Sequence, residues 1–247
     1  METGNIITIQ NLYKAFAGKT VLEDINLGLR PGENLVVLGK SGTGKTVLLK
    51  CIVGLLTPDN GSIQVFDTNV EKCTHDELDK IRTRIGYVFQ HGALYDSISL
   101  RENMLFPLMR NTRFFKTSEK EMKQLVEKNL KSVDLLDAID KMPGELSGGM
   151  KKRAGLARAL MLSPEIMLYD EPTSGLDPFT AQEISDLIMS IQREKGTASI
   201  IVTHDMKCAE TVSDRICILH NGKFIAEGNY KTLGVSEDRH VSMFFST

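Results

Sequence analysis

The sequence predicts an α/β fold interrupted by a helical insert. Three observations predict it. A glycine-rich segment, residues 39–46, lies between a short apolar run and a helical pattern. Strand and helix patterns alternate through residue 98 and return from residue 163. Between them, residues 99–162 carry helical periodicity and few strand signals. There is no internal repeat and no low-complexity linker. The 247 residues therefore read as a single domain, with 1–98 and 163–247 forming the α/β part and 99–162 the helical part.

The elements follow in order. Residues 6–12 (IITIQNL) and 21–29 (VLEDINLGL) alternate loosely and predict strands, and Arg30-Pro31-Gly32-Glu33 predicts a turn. Residues 35–38 are a compact apolar run, the pattern of a buried strand. A helix over 46–55 closes near Gly54, ahead of a Pro58-Asp59-Asn60-Gly61 turn. Strand 62–66, helix 77–84 and strand 85–89 come next. In residues 116–137, Met122, Leu125, Val126, Leu130 and Val133 recur at three- and four-residue steps, which predicts a helix. A second helix is expected over 151–162. Strand 166–169, helix 179–194 and strand 199–203 restore the alternation, and Asn221-Gly222 between apolar runs signals a two-residue hairpin. The tail around Val241 to Phe245 reads either as a frayed helix or as a short helix docked on a body; these residues alone do not decide.

Composition excludes several classes. With 41% hydrophobic and 25% charged residues the chain is ordinary for a globular protein, not a disordered one. A net charge of -2 supplies no global field toward nucleic acid or anionic lipid, and the longest basic run is Lys151-Lys152-Arg153. No apolar stretch approaches the roughly 18–20 residues that cross a bilayer. The first ten residues lack the layout of a secretory signal. Cys51, Cys73, Cys208 and Cys217 form no C-x-x-C pair and lack metal-like histidine spacing, so buried, reduced thiols in a cytosolic protein are expected.

Three motifs carry chemistry. Gly39-Lys40-Ser41-Gly42-Thr43-Gly44-Lys45-Thr46 is a complete G-x-x-x-x-G-K-[ST] phosphate loop in the strand-to-helix setting it requires. Its glycines let backbone N–H groups converge on phosphate oxygens. Lys45 adds charge at the β- and γ-phosphates, and the Thr46 hydroxyl can ligate Mg²⁺. The second motif, residues 166–171, is an apolar strand that delivers Asp170 at its end, where a phosphate-loop enzyme holds Mg²⁺. Glu171, one residue on, is placed to polarise an attacking water. The third, Leu146-Ser147-Gly148-Gly149-Met150, is a Ser-Gly-Gly turn opening a helix, with free N–H groups and a hydroxyl aimed outward. Taken alone it is an ordinary N-cap.

Together these motifs make the chain resemble the ABC transporter ATPases over almost its whole length. The phosphate loop, Gln90 after a strand, LSGGM at 146–150, YDEP at 169–172, Ser174-Gly175-Leu176-Asp177 and Thr203-His204-Asp205 stand in that family's order and spacing. The resemblance implies a RecA-like P-loop NTPase core, with an N-terminal antiparallel β subdomain and an inserted α-helical subdomain. It implies a head-to-tail homodimer that closes ATP between the phosphate loop of one subunit and Ser147, Gly148 and Gly149 of the other. Glu171 would be the general base, His204 would contact the γ-phosphate, and Gln90 would sense Mg²⁺ and the transmembrane partner. Asp177 would signal across the dimer, and Phe16 matches the aromatic that stacks on adenine.

One departure sharpens the resemblance. Met150 stands where most members have glutamine, and LSGGM followed by KKRAGLARAL is similar to the ATPases of the Mla/Mce-type lipid transporters. The segment from Phe89 to Ser97 resembles that subgroup's F-Q-x-G-A-L loop before an aromatic. The subgroup implies phospholipid or other hydrophobic cargo, a separate permease pair, an Mce-domain protein and a peripheral place on the cytoplasmic face of the inner (plasma) membrane. A small regulatory subunit and the direction of transport stay open. Two rival readings remain. One is an ABC ATPase for another cargo, such as an amino acid, a metal chelate or a lipoprotein, differing only in the permease-gripping surface over residues 90–115. The other is a soluble ABC protein acting on nucleic acid or ribosomes. Such proteins usually carry two domains or a long coiled-coil insert, and the near-neutral charge lacks a nucleic-acid footprint.

Overall fold

The computed structural model describes residues 4–90 and 92–245; His91, within the segment from Phe89 to Ser97, lies outside the described residues. Two sheets organise the chain. Strand β1 (Ile7–Phe16) pairs with β2 (Lys19–Leu29) on one side and β4 (Asn60–Val65) on the other, and β5 (Thr68–Asn69) extends β4. This antiparallel sheet has the order β2-β1-β4-β5. The second sheet contains β3 (Asn34–Leu38), β6 (Ile85–Val88), β7 (Ile166–Asp170), β8 (Ala198–Thr203), β9 (Arg215–His220) and β10 (Lys223–Gly228). Its order is β10-β9-β3-β8-β7-β6, parallel throughout except for the β9–β10 hairpin.

The parallel strands are apolar on both faces because each face has a cover. Val36, Leu38, Met167 and Tyr169 point into one core, with α3 (Leu100–Arg110), α4 (Glu119–Lys131), α5 (Gly148–Ala159), α6 (Pro178–Lys195) and α7 (Met206–Val212). Leu35, Val37, Ile166 and Leu168 point into the other, with α1 (Lys45–Ile52), α2 (His75–Thr83) and the antiparallel sheet. Period-two alternation thus divides each strand between two layers. In the chain, α3 to α5 lie between β6 and β7.

Element boundaries shift for local reasons. Helix α4 begins at Glu119 rather than at residue 116, because Ser118 caps it in a reciprocal box with Glu121. It ends at Lys131, and Asp134 beyond it adopts a left-handed φ of 55°. Helix α5 starts three residues earlier than expected. Ser147 Oγ accepts the Met150 amide at 3.2 Å, so both glycines enter the first turn. Asn221 and Gly222 both have positive φ, as the predicted hairpin turn demands. After α8 (Tyr230–Gly234), the tail forms α9 (Arg239–Phe245), which docks on the body through buried Val241 and a Tyr230–Phe245 ring contact. Of the cysteines, Cys51, Cys208 and Cys217 are buried, but Cys73 is only half-buried, in the turn before α2. The expectation of four buried thiols is corrected at that position.

Candidate active site

The chemistry-bearing residues meet at the carboxyl ends of the parallel strands, where open α/β sheets place their ligands. The phosphate loop leaves β3 and enters α1. Gly44, the N-cap of α1, has φ 104°, and a Cβ there would stand 2.9 Å from the Val21 carbonyl, so the loop's approach to β2 requires glycine. Gly39 is held to β8 by its N–H to the Thr203 carbonyl at 3.1 Å. Ser41, Gly42, Gly44, Lys45 and Thr46 line a hollow of about 330 Å³ with Gln90, Glu171, Ser174 and His204.

Lys45 is 4% exposed. Its ammonium donates to the carbonyls of Gly39 at 2.6 Å and Lys40 at 2.9 Å, and pairs with Glu171 Oε1 at 3.0 Å. Thr43 Oγ1 donates to the Lys40 carbonyl at 2.9 Å, tightening the turn. Thr46 Oγ1 donates to Asp170 Oδ1 at 2.8 Å, and the Tyr87 hydroxyl donates to Asp170 Oδ2 at 3.3 Å. Burial, with Asp170 alongside, pushes the Tyr87 phenol well above its ordinary range, so it remains a donor to that carboxylate.

Glu171 follows β7 with φ 49°, a left-handed conformation that is costly for a residue with a side chain. Its N–H bonds the Val202 carbonyl at 2.9 Å. Its Oε2 accepts from the His204 amide at 3.3 Å and lies 2.8 Å from His204 Nδ1. The carboxylate is therefore held between a cation on α1 and an imidazole at the end of β8. Thr173 Oγ1 donates to Asp205 Oδ2 at 2.8 Å, tying the turn after Glu171 to the cap of α7.

Oxygen donors dominate the Thr46–Asp170 corner. Among the described residues no cluster of three or more His, Cys, Asp or Glu could hold a metal. A hydroxyl and a single carboxylate beside a phosphate cradle suit Mg²⁺, which keeps several waters and shares phosphate oxygens rather than filling an all-protein cage. Zinc would need a different donor set.

The remaining predicted site residues stand apart from this hollow. Ser147 and Gly148 are exposed, and Gly149 and Met150 half-buried, at the start of α5. A Cβ on Gly149 would lie 2.7 Å from the Thr180 methyl, so this turn packs on the start of α6. Asp177 caps α6, accepting from the amides of Phe179 and Thr180 at 3.1 and 3.0 Å and from the Thr180 hydroxyl at 2.6 Å. That hydroxyl bond, with the amides, holds its carboxyl below the usual range. Phe16 is 43% exposed at the end of β1 and does not line the hollow.

Two residues near the chemistry escaped the motifs. Tyr87 sits on a predicted strand, where an aromatic reads as core. Lys152 belongs to the basic run and to the KKRAGLARAL segment without a role of its own, yet it is 7% exposed, and its ammonium donates to the backbone carbonyls of Gln90 and Glu171. A signal was available: Lys152 falls in line with Gly155 and Leu156, both buried, on the inner face of α5.

A family model described as ABC transporter matches residues 22–174. The chain is 42% identical over 246 residues to the probable ribonucleotide transport ATP-binding protein mkl of Mycobacterium leprae (strain TN), covering 100% of this chain and 70% of that protein. It is 37% identical to the methionine import ATP-binding protein MetN 4 of Oceanobacillus iheyensis, covering 98% and 71% of the two. The intermembrane phospholipid transport system ATP-binding protein MlaF of Haemophilus influenzae is 36% identical, with 97% and 90% covered. Among solved structures, the ATP-binding cassette MJ0796, a dimer in a post-hydrolysis state with ADP and Pi, superposes with a TM-score of 0.83 at 31% identity, covering 91% and 98%. The family model and the likeness to a solved cassette agree with the phosphate loop, acidic strand end and histidine at the carboxyl ends of β3, β7 and β8: this chain belongs to the ABC transporter family and is one of its ATP-binding, ATP-hydrolysing cassettes.

Proposed function

We propose that this chain powers a membrane transporter of the Mla/Mce type, moving phospholipids or other hydrophobic molecules across the cell envelope. One observation carries the energy-coupling part: the anion-binding groups are divided. The phosphate loop faces Asp170, Glu171 and His204, whereas Ser147 and Gly148 stand exposed outside that hollow. A head-to-tail homodimer brings the missing half, with residues 39–46 of one copy and Ser147, Gly148 and Gly149 of the other enclosing ATP. Asp177 lies beside that junction, and exposed Phe16 is available to stack on adenine. In domain terms, residues 99–162 form the helical subdomain and 1–98 with 163–247 the remainder.

Lys45 reaching a phosphate exchanges its bond to Glu171 for one to a phosphate oxygen. Glu171 Oε1 then accepts a proton from a water while His204 holds the other carboxylate oxygen. The water oxygen bonds to the γ-phosphorus, the bond from that phosphorus to the bridging oxygen breaks, and ADP and phosphate result. Thr46, Asp170 and Gln90 would hold Mg²⁺, which when bound offsets charge on the β- and γ-phosphates. Loss of phosphate weakens the attraction between copies, so hydrolysis becomes relative motion.

The lipid cargo is supported by the likeness to MlaF across 97% of the chain and by Met150 in the Ser-Gly-Gly turn. The likeness to MetN 4 favours a second reading, an amino-acid importer with the same motor. Among the described residues no helix is long and apolar enough to cross a membrane, which suits a peripheral subunit on the cytoplasmic face working with a permease pair. An Mce-domain protein and a small regulatory subunit complete the proposed assembly, with no role for nucleic acid. Purification of the tagged protein from its host in mild detergent tests this. A co-purifying permease and Mce-domain protein with bound phospholipid is the expected outcome; an amino-acid-binding protein in their place would overturn the cargo.

A further inference from the structure

We propose that Lys152 is a positioning residue for hydrolysis: its ammonium ties the backbone of Gln90 to that of Glu171, coupling the loop after β6 to the aim of the general base. This rests on the reading of Glu171 as base. Lys152 Nζ donates to the Glu171 carbonyl at 3.1 Å and to the Gln90 carbonyl, so two of its three N–H groups are taken by peptide oxygens. Burial pulls the pKa of this ammonium down, while Glu171 and Asp170 pull it up. A buried cation satisfied by neutral carbonyls is a costly way to fill space. A methionine would fill the same volume without desolvating a charge, so packing alone does not call for lysine.

The surroundings give the tie its leverage. The loop after β6 lies along α5 at successive turns. Lys152 holds Gln90, Gly155 packs on Gly92 so closely that a Cβ would stand 2.8 Å from the Gly92 carbonyl oxygen, and Arg158 donates to the Ala93 carbonyl. Gln90, Gly92 and Ala93 are therefore all held against one helix. Of these three α5 residues, Lys152 alone also reaches the end of β7. There it holds one side of a residue with φ 49°, whose N–H is fixed on the other side by the Val202 carbonyl. A left-handed glutamate persists only when its surroundings over-determine it. Releasing the carbonyl lets the peptide relax and moves the carboxylate off Lys45 and His204. Gln90 itself donates to Ser174 Oγ at 3.3 Å across the hollow, a second link from Gln90 to the turn that follows Glu171.

The test uses the full-length chain and steady-state ATP hydrolysis. Lys152→Met should lower kcat about 10- to 100-fold, the scale of a misplacement near 1 Å. KM for ATP and affinity for a fluorescent ATP analogue should stay within about twofold. Lys152→Arg, which keeps the cation and its paired donors, should recover most of the rate. In a Glu171→Gln background, Lys152→Met should cause no further loss, because it acts through that carboxylate. Unchanged kcat in Lys152→Met, an equal fall of rate and affinity without rescue by arginine, or an added loss in the Glu171→Gln background would each overturn the proposal. Full turnover in Glu171→Gln would instead remove the base assignment and the Lys152 role with it. Full turnover in Lys152→Met beside an inactive Glu171→Gln removes only the role of Lys152. If Lys152→Met does not fold, Lys152→Gln, which keeps a single neutral donor group, is measured in the same way.

Discussion

Helices α1 and α5 both begin at glycine-bearing turns, and both present free backbone N–H groups and a positive dipole end. Their surroundings differ. The start of α1 has no side-chain cap; Gly44 turns left-handed into Lys45, and the space ahead is lined by residues from three strand ends. The start of α5 is capped by Ser147, has Ser147 and Gly148 exposed to solvent, and packs against Leu176 and the beginning of α6. A helix N-terminus is thus a generic attraction for anions. On the proposed function, what makes α1 an active site is Asp170, Glu171 and His204, delivered by β7 and β8. The same reading makes α5 half a site, since no such residues are delivered to it within its own chain.

The comparison can be broken from either side. Glu171→Gln should lower ATP turnover by about 10²–10⁴-fold while nucleotide still binds, and should trap the ATP-bound dimer on a sizing column. Turnover near wild type would mean that the α1 side is not the chemical half. Lys45→Ala should weaken ATP binding about 100-fold by titration, since it removes a charge-assisted contact at the phosphates. Ser147→Arg should leave nucleotide affinity of the single subunit unchanged and stop turnover. Mixing Lys45→Ala and Ser147→Arg chains should restore about a quarter of the activity, because a head-to-tail heterodimer contains one intact composite site. No restoration would break the two-halves picture directly. The smallest effect belongs to Tyr87→Phe, which removes one hydroxyl from Asp170. About 1 kcal/mol of stability in urea denaturation and a few-fold change in turnover are expected.

The sequence made the α1 side legible because its chemistry is written locally. Eight consecutive residues specify the phosphate loop, and an apolar run ending in two acids specifies the end of β7. The Ser-Gly-Gly turn was legible as a helix start that could bind an anion or be an ordinary N-cap; resemblance to a family decided between the two, and it alone assigned roles to Gln90, His204 and Asp177. Lys152 was hidden because Lys151-Lys152-Arg153 reads as a solvated run, whereas the helix turns the middle residue inward. Glu171 gave no sign of its left-handed backbone, since that conformation is imposed by Val202 and Lys152, partners 31 and 19 positions away. Boundaries slipped where caps competed with periodicity, as Ser118 does in shortening α4.

Strand β3, which ends in the phosphate loop, has two neighbours in the sheet, and both come from late in the chain. Asn34 stands opposite Ser199, and Leu35 opposite Ile200 on one side and Arg215 on the other. A ribosome making this protein therefore releases the loop long before anything can support it. Until residues 198–220 emerge, β3 has no lateral hydrogen bonds, and the motif is a flexible glycine-rich stretch. Pairings across such separations also slow the search for the native state. A truncated product ending ahead of β8 would carry the signature of a nucleotide binder without the ability to bind one, and its uncovered apolar strands would make it a substrate for chaperones or proteases.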